Sequence, residues 1–211
     1  MNKILILSLR LLIAFFAIGV AGYAFSYLDF VKKSLMFTKS EALLSDLIWR
    51  ITFYSHISFG AIALMTGSLQ FFPRLRNQYL HSHKIVGKIY VVSVFLGGIA
   101  GFYIALFASI GTVAQLGFSF LAISWLYTNW QAYQSIKRKK INRHQVFMIR
   151  NYALTLAAVT LRLYLGFFTT FLAFPFEQAY PIIAWLCWIP NLIVAETIIG
   201  NAKLLPKKSL V

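Results

Sequence analysis

Six stretches of this chain, residues 5–28, 47–72, 85–107, 112–133, 146–171 and 180–199, are each apolar over about the 20 residues a helix needs to cross a bilayer. Inside lipid no water satisfies the backbone, so only helices and closed barrels span it. Barrel strands would be shorter and would alternate apolar with polar residues, and no run here does so. The sequence therefore predicts an all-α, polytopic membrane helix bundle of six transmembrane helices, forming a single integral membrane domain over residues 1–211. With 60% hydrophobic and 12% charged residues, little is left for a separate soluble domain.

The net charge of +15 looks at first like a nucleic-acid footprint, so its placement decides its meaning. Basic residues cluster at Arg74, Arg76, Lys84 and Lys88, at Lys137 to Lys140 with Arg143, and at Lys203, Lys207 and Lys208. The intervening connections carry no charge at 108–111 and only Glu177 after the fifth run, while 29–46 is nearly balanced. This alternation is the positive-inside pattern and puts both termini in the cytoplasm. The charge then reports topology and contact with anionic lipids of the bilayer, and nucleic acid is not an expected partner. Lys3 and Arg10 before an apolar stretch resemble a signal peptide, but the run is long enough to span and reads as an uncleaved helix. The single Cys187 can form neither an internal disulfide nor a cysteine-based zinc site.

Several polar residues fall at membrane depth. Arg150, about 6 Å inside the cytoplasmic end of the fifth run at 1.5 Å per residue, matches the depth of Glu196 in the antiparallel sixth. An ion pair between them would satisfy both, and snorkelling to headgroups is the alternative for Arg150. Arg162 lies three turns further along, at the depth of His56 in the second run. It has no evident carboxylate, so it marks either an anion site or a snorkelling side chain.

His56 and His83 open HISFG and HKIVG, each with a glycine one turn later that would admit a helix or a flat cofactor. His81, His83 and His144 sit at cytoplasmic ends of spans, where two imidazoles from different helices would ligate haem iron and Arg143, Arg150 or Lys84 would meet propionates. The bland alternative is a rim of interfacial histidines. No metal other than such a haem iron is expected, because carboxylates are too sparse. Pro190 removes a backbone donor in mid-span and frees a carbonyl near Leu186, with Asn191 beside it to bond that backbone or a neighbouring helix. No phosphate loop, G-x-S-x-G or H-E-x-x-H is present, and no catalytic residue can be named.

The segments HISFGAIALMTGSLQF, HKIVGKIYV, GFSFLAISWL, HQVFMIRNYALTLAAVTLRLYL and CWIPNLIVAE follow one another from His56 to Glu196. In order and spacing they resemble domain-of-unknown-function family 2306, a group of bacterial multi-pass membrane proteins. The resemblance implies a helical core over residues 47–200 and a place in the bacterial cytoplasmic (inner) membrane. It also implies a shared polar site of His56, His83, His144, Arg150, Arg162, Trp188, Pro190, Asn191 and Glu196, with His81 as an extra. It implies no reaction.

Three readings follow. The first is electron transfer with a b-type haem or a quinone, using His83, His144, His56 and Arg150 and a membrane redox partner. The second is binding or transport of an anionic small molecule or lipid through Arg162, Arg150 and Asn191. The third is assembly into a larger membrane complex, with the small residues GGIAG at 97–101 as the packing face.

Overall fold

Apolar runs become helices, and the polar residues between them decide where each helix stops. The computed structural model describes residues 3–25, 27, 38–72 and 77–202, and every regular element among the described residues is helical. Helix α1 spans Lys3–Phe25. The short α2, Glu41–Ser45, is capped by Ser40, whose hydroxyl accepts from the Leu43 amide. Asp46 starts α3, Leu47–Gln70, by accepting the Trp49 amide at 2.6 Å, which satisfies one of the donors a helix start leaves open. Two uninterrupted helices follow, α4 over Leu80–Ala105 and α5 over Thr112–Lys137.

The fifth and sixth runs are both interrupted. The fifth divides at Leu156 into α6, Ile141–Thr155, and α7, Ala157–Gly166, and ends in a π turn at Phe167–Phe171. The sixth divides at Cys187 and Trp188 into α8, Phe176–Leu186, and α9, Ile189–Asn201, with Pro190 in the first turn of α9. Pro190 thus opens a new helix segment where its missing N–H costs nothing. One end of the bundle carries Lys84, Lys88, Lys137 to Lys140 and Arg143 and is called the basic end below. The remaining basic positions noted above, Arg74, Arg76, Lys203, Lys207 and Lys208, lie outside the described residues, as does residue 29.

Five segments are long and apolar enough to cross a membrane: Leu7–Ala24, Leu47–Gln70, Leu80–Ala105, Ile141–Phe171 and Phe176–Asn201. Helix α5 has the length, but Gln115, Thr128, Asn129, Gln131, Gln134 and Ser135 dilute its hydropathy. Its orientation is informative. Thr128, Asn129 and Ser135 are buried, while Val113, Leu116, Phe120, Ile123, Tyr127 and Trp130, spaced three and four apart, are exposed. A helix of a water-soluble bundle would do the reverse.

Helices α3 and α4 pack antiparallel at close range because glycines line the seam. A Cβ added to Gly97 would lie 3.1 Å from Phe59, and one on Gly101 would lie 2.6 Å from the His56 ring. On the neighbouring face Gly98 receives Leu126 of α5, 2.7 Å from where its Cβ would be. The GGIAG segment, read from sequence as a face for another protein, is therefore filled by the chain's own α3 and α5. The glycines of the H-x-x-x-G pairs are not the close-approach points either. A Cβ on Gly60 would meet nothing within 4 Å, and one on Gly87 would make ordinary contact with Gln70 at 3.5 Å.

Candidate functional site

The bundle interior is held by a polar network that joins α4, α5 and α6. The Tyr90 hydroxyl donates to Asn151 Oδ1 at 2.6 Å and lies 2.8 Å from Thr155 Oγ1. Trp125 Nε1 donates to the same Thr155 oxygen at 2.8 Å. Asn151 Nδ2 donates to the Trp125 carbonyl at 2.7 Å and to Thr128 Oγ1 at 2.8 Å. Tyr90 and Asn151 are fully buried, so each of these groups would be costly without its partner.

Next to this network the two helix breaks face one another. Asn191 Nδ2 is shared among the Ala153 carbonyl at 3.1 Å, Thr160 Oγ1 at 3.2 Å and the Cys187 carbonyl at 3.0 Å. Thr160 also donates to the Cys187 carbonyl. Carbonyls beside both interruptions thus find side-chain donors, as irregular backbone inside a bilayer requires.

Toward the basic end, Arg150 grips Glu196 with both prongs: Nε lies 2.6 Å from Oε1 and Nη2 lies 2.9 Å from Oε2. The guanidinium also stands 5.2 Å from the centroid of Phe147. The pair sits on the outer surface of the bundle, with Glu196 49% exposed.

Arg162 has a different environment. It lies nine residues before Phe171 ends its span, and His56 lies nine residues after Leu47 begins its own. The Arg162 guanidinium is within electrostatic reach of the His56 ring and of the Tyr27 phenol. Its Nη1 donates to the Ala158 carbonyl at 2.7 Å, and its Cζ sits 5.5 Å from the Tyr23 ring centroid. Ala158 is one turn back toward the middle of the span, so the side chain runs inward. It makes no ion pair among the described residues.

The histidines split. His56 Nδ1 meets the Gly97 carbonyl at 2.8 Å and His144 Nδ1 meets the Ala132 carbonyl at 3.0 Å, so each ring ties its helix to the next. His83 is half-buried in the first turn of α4, and His81 is exposed. Tyr90 of α4 reaches Asn151 and Thr155 of α6 about two turns further along than His83 and His144. Among the described residues no three His, Cys, Asp or Glu side chains gather as a metal site.

A family model described as predicted membrane protein, DUF2306, matches residues 53–199. The chain belongs to this family. The DUF2306 region runs from within α3 almost to the end of α9, so it contains every polar residue above except Tyr23 of α1 and Tyr27. No curated protein and no solved structure matches the chain.

Within the DUF2306 region, sequence reasoning brought together Arg150 with Glu196 and Arg162 with His56. It passed over Tyr90, Trp125, Thr128, Asn151 and Thr155. A signal was there: Asn151 and Thr155 are four apart, on one face of a helix that must find every polar partner inside the protein.

Proposed function

We propose that this chain is a binding module for a lipid-soluble anion, taken up at Arg162 between α1, α3 and α7. The observation that carries the reading is the direction of Arg162. A snorkelling arginine extends toward the nearer surface, whereas this one turns back to Ala158 and lies among His56, Tyr23 and Tyr27. A guanidinium has five donors and one is taken by Ala158, so a carboxylate or phosphate arriving from the lipid would complete the set. Tyr23 is 44% exposed and borders the route from the lipid.

The same reading includes topology. Helix α5 is the sixth span, because its buried Thr128, Asn129 and Ser135 and its exposed apolar stripe suit a lipid surround. Both termini then lie on the cytoplasmic side of a bacterial inner membrane, where the basic end faces anionic headgroups.

The electron-transfer reading has weaker support. His56 and His144 use Nδ1 to join helices, which by itself accounts for their positions. A dithionite-reduced minus air-oxidised spectrum of protein made with haem precursor settles this arm, since a sharp alpha band lost in His83→Ala or His144→Ala would establish a b-type cytochrome.

The binding reading is tested by thermal unfolding in mild detergent with oleate, a short-chain phosphatidic acid or a short-chain quinone. A shift with an anionic amphiphile that disappears in Arg162→Gln and partly returns in Arg162→Lys supports it. Equal shifts in wild type and Arg162→Gln, or a shift with the quinone alone, overturn it.

A further inference from the structure

A second cation-lined site lies at the basic end, where α5 turns into α6. A pocket of about 300 Å³ opens there between Trp130, Gln131, Gln134, Ser135, Arg138, Lys140 and Arg143. That volume is at the lower bound of small-ligand sites. The turn is built under strain: Lys139 adopts a left-handed φ of 56°, a conformation that favours glycine. The Lys140 amide closes the turn on the Ser135 carbonyl at 2.9 Å, so Arg138 and Lys140 are fixed on either side of Lys139. Arg143 is positioned from the other wall, donating from Nη2 to Gln131 Oε1 at 3.1 Å and lying 5.6 Å from the Phe147 centroid.

Three cations line this pocket, and among the described residues no carboxylate pairs with them. Among the described acidic residues, Glu41, Asp46 and Glu177 start helices at the opposite end, and Glu196 is held by Arg150. Trp130, 56% exposed on the same wall, is the residue type that settles at the headgroup level of a bilayer. The pocket therefore combines a guanidinium positioned by Gln131, two further cations set by the turn, neutral amide groups, and a depth at which phosphates are found.

We infer that this pocket binds a phosphate group, with Arg138 and Arg143 as paired donors, Lys140 as a point charge, and the Gln134 amide contacting remaining oxygens or ester groups. A lipid headgroup and a free phosphate share that chemistry. The test titrates purified full-length protein in neutral detergent with a short-chain phosphatidic acid and, separately, with inorganic phosphate. It reads tryptophan fluorescence, with Trp130→Phe locating the signal. Binding of the lipid alone assigns the site to a headgroup, and phosphate that binds and competes with the lipid assigns it to the free anion. In either case Arg138→Gln with Arg143→Gln should weaken binding about tenfold or more, since hydrogen bonds to charged groups contribute about 1.5–3 kcal/mol. Lys84→Gln with Lys88→Gln, which removes the same charge elsewhere on that end, should change it less than threefold. Failure of both probes to bind wild type, or equal loss in the two double variants, overturns the inference. Circular dichroism of each variant verifies that the helices are kept.

Discussion

Asn191 of α9 and Ala153 of α6 are joined at 3.1 Å across the seam between two interrupted helices. The bond places a donor where α6 is about to end, and the same amide reaches the Cys187 carbonyl where α8 has ended. One side chain therefore braces both breaks. Asn191→Leu should destabilise the protein by about 1–3 kcal/mol, the cost of leaving buried carbonyls without a donor. Reversible unfolding in mixed micelles of dodecyl sulfate and a mild detergent measures this, and an unchanged midpoint would remove the bracing role.

The network around Asn151 should behave as a unit. Asn151→Ala strips two donors from the Trp125 carbonyl and Thr128 and an acceptor from Tyr90, and should cost more than Tyr90→Phe. A single interhelical bond in a membrane protein contributes about 0.6 kcal/mol on average, so Tyr90→Phe sets the lower mark. The double variant should fall short of the sum of the two, by unfolding in the same micelles.

For Arg150 and Glu196 the expected result is rescue by exchange. Glu196→Gln should lower the midpoint of thermal unfolding, and so should Arg150→Glu alone. Arg150→Glu combined with Glu196→Arg should recover a good part of the loss, because the bidentate geometry at 2.6 and 2.9 Å is regenerated with the charges transposed. Independent, additive losses would show that the pair is not coupled.

The glycine seam predicts a contrast between two similar substitutions. Gly101→Ala puts a methyl group 2.6 Å from His56 Nδ1 and should displace that ring from the Gly97 carbonyl, destabilising by about 1–3 kcal/mol. Gly60→Ala meets nothing within 4 Å and should be neutral or stabilising. Unfolding midpoints of the two variants compared side by side test the assignment.

Lys39 supplies a pH dependence outside the spans. Its ammonium donates to the Phe107 carbonyl in the turn after α4, and burial lowers its pKa to about 8. The unfolded chain holds that proton up to about 10.4. Below pH 8 the folded state therefore bears the cost of a buried charge, and the cost is relieved as pH rises from 8 toward 10.4, so this segment should dock more firmly through that window. Acylation by an amine-directed reagent at pH 8, mapped by mass spectrometry, should run roughly tenfold or more faster at Lys39 in the folded protein than in the denatured chain, because about half of its amine is neutral in the fold at that pH. Equal rates would refute the assignment.

The helical class was legible from six apolar runs, and the Arg150 and Glu196 contact was legible from depth, because antiparallel neighbours with opposite charges at one level have few other partners. Arg162 and His56 were placed at one level by the same counting. The Tyr90, Trp125 and Asn151 network was not read, since uncharged polar residues in an apolar run carry no sign with which to find each other. Pro190 announced the break at Cys187, whereas nothing marked the break at Leu156. That interruption depends on the Asn191 and Thr160 donors across the seam, which makes it a tertiary effect.

The polar face of α5 bears on how the protein enters its membrane. A translocon sorts nascent segments by apolarity one at a time, and Thr112–Lys137 with its buried Thr128, Asn129 and Ser135 is the segment it would favour least. As the sixth span proposed above, helix α5 would be drawn into lipid by helices already there, with α4 offering the Val91 carbonyl, which accepts from Asn129 at 3.0 Å. Insertion and folding of this helix would then be one step, completed when α6 brings Asn151 to Thr128.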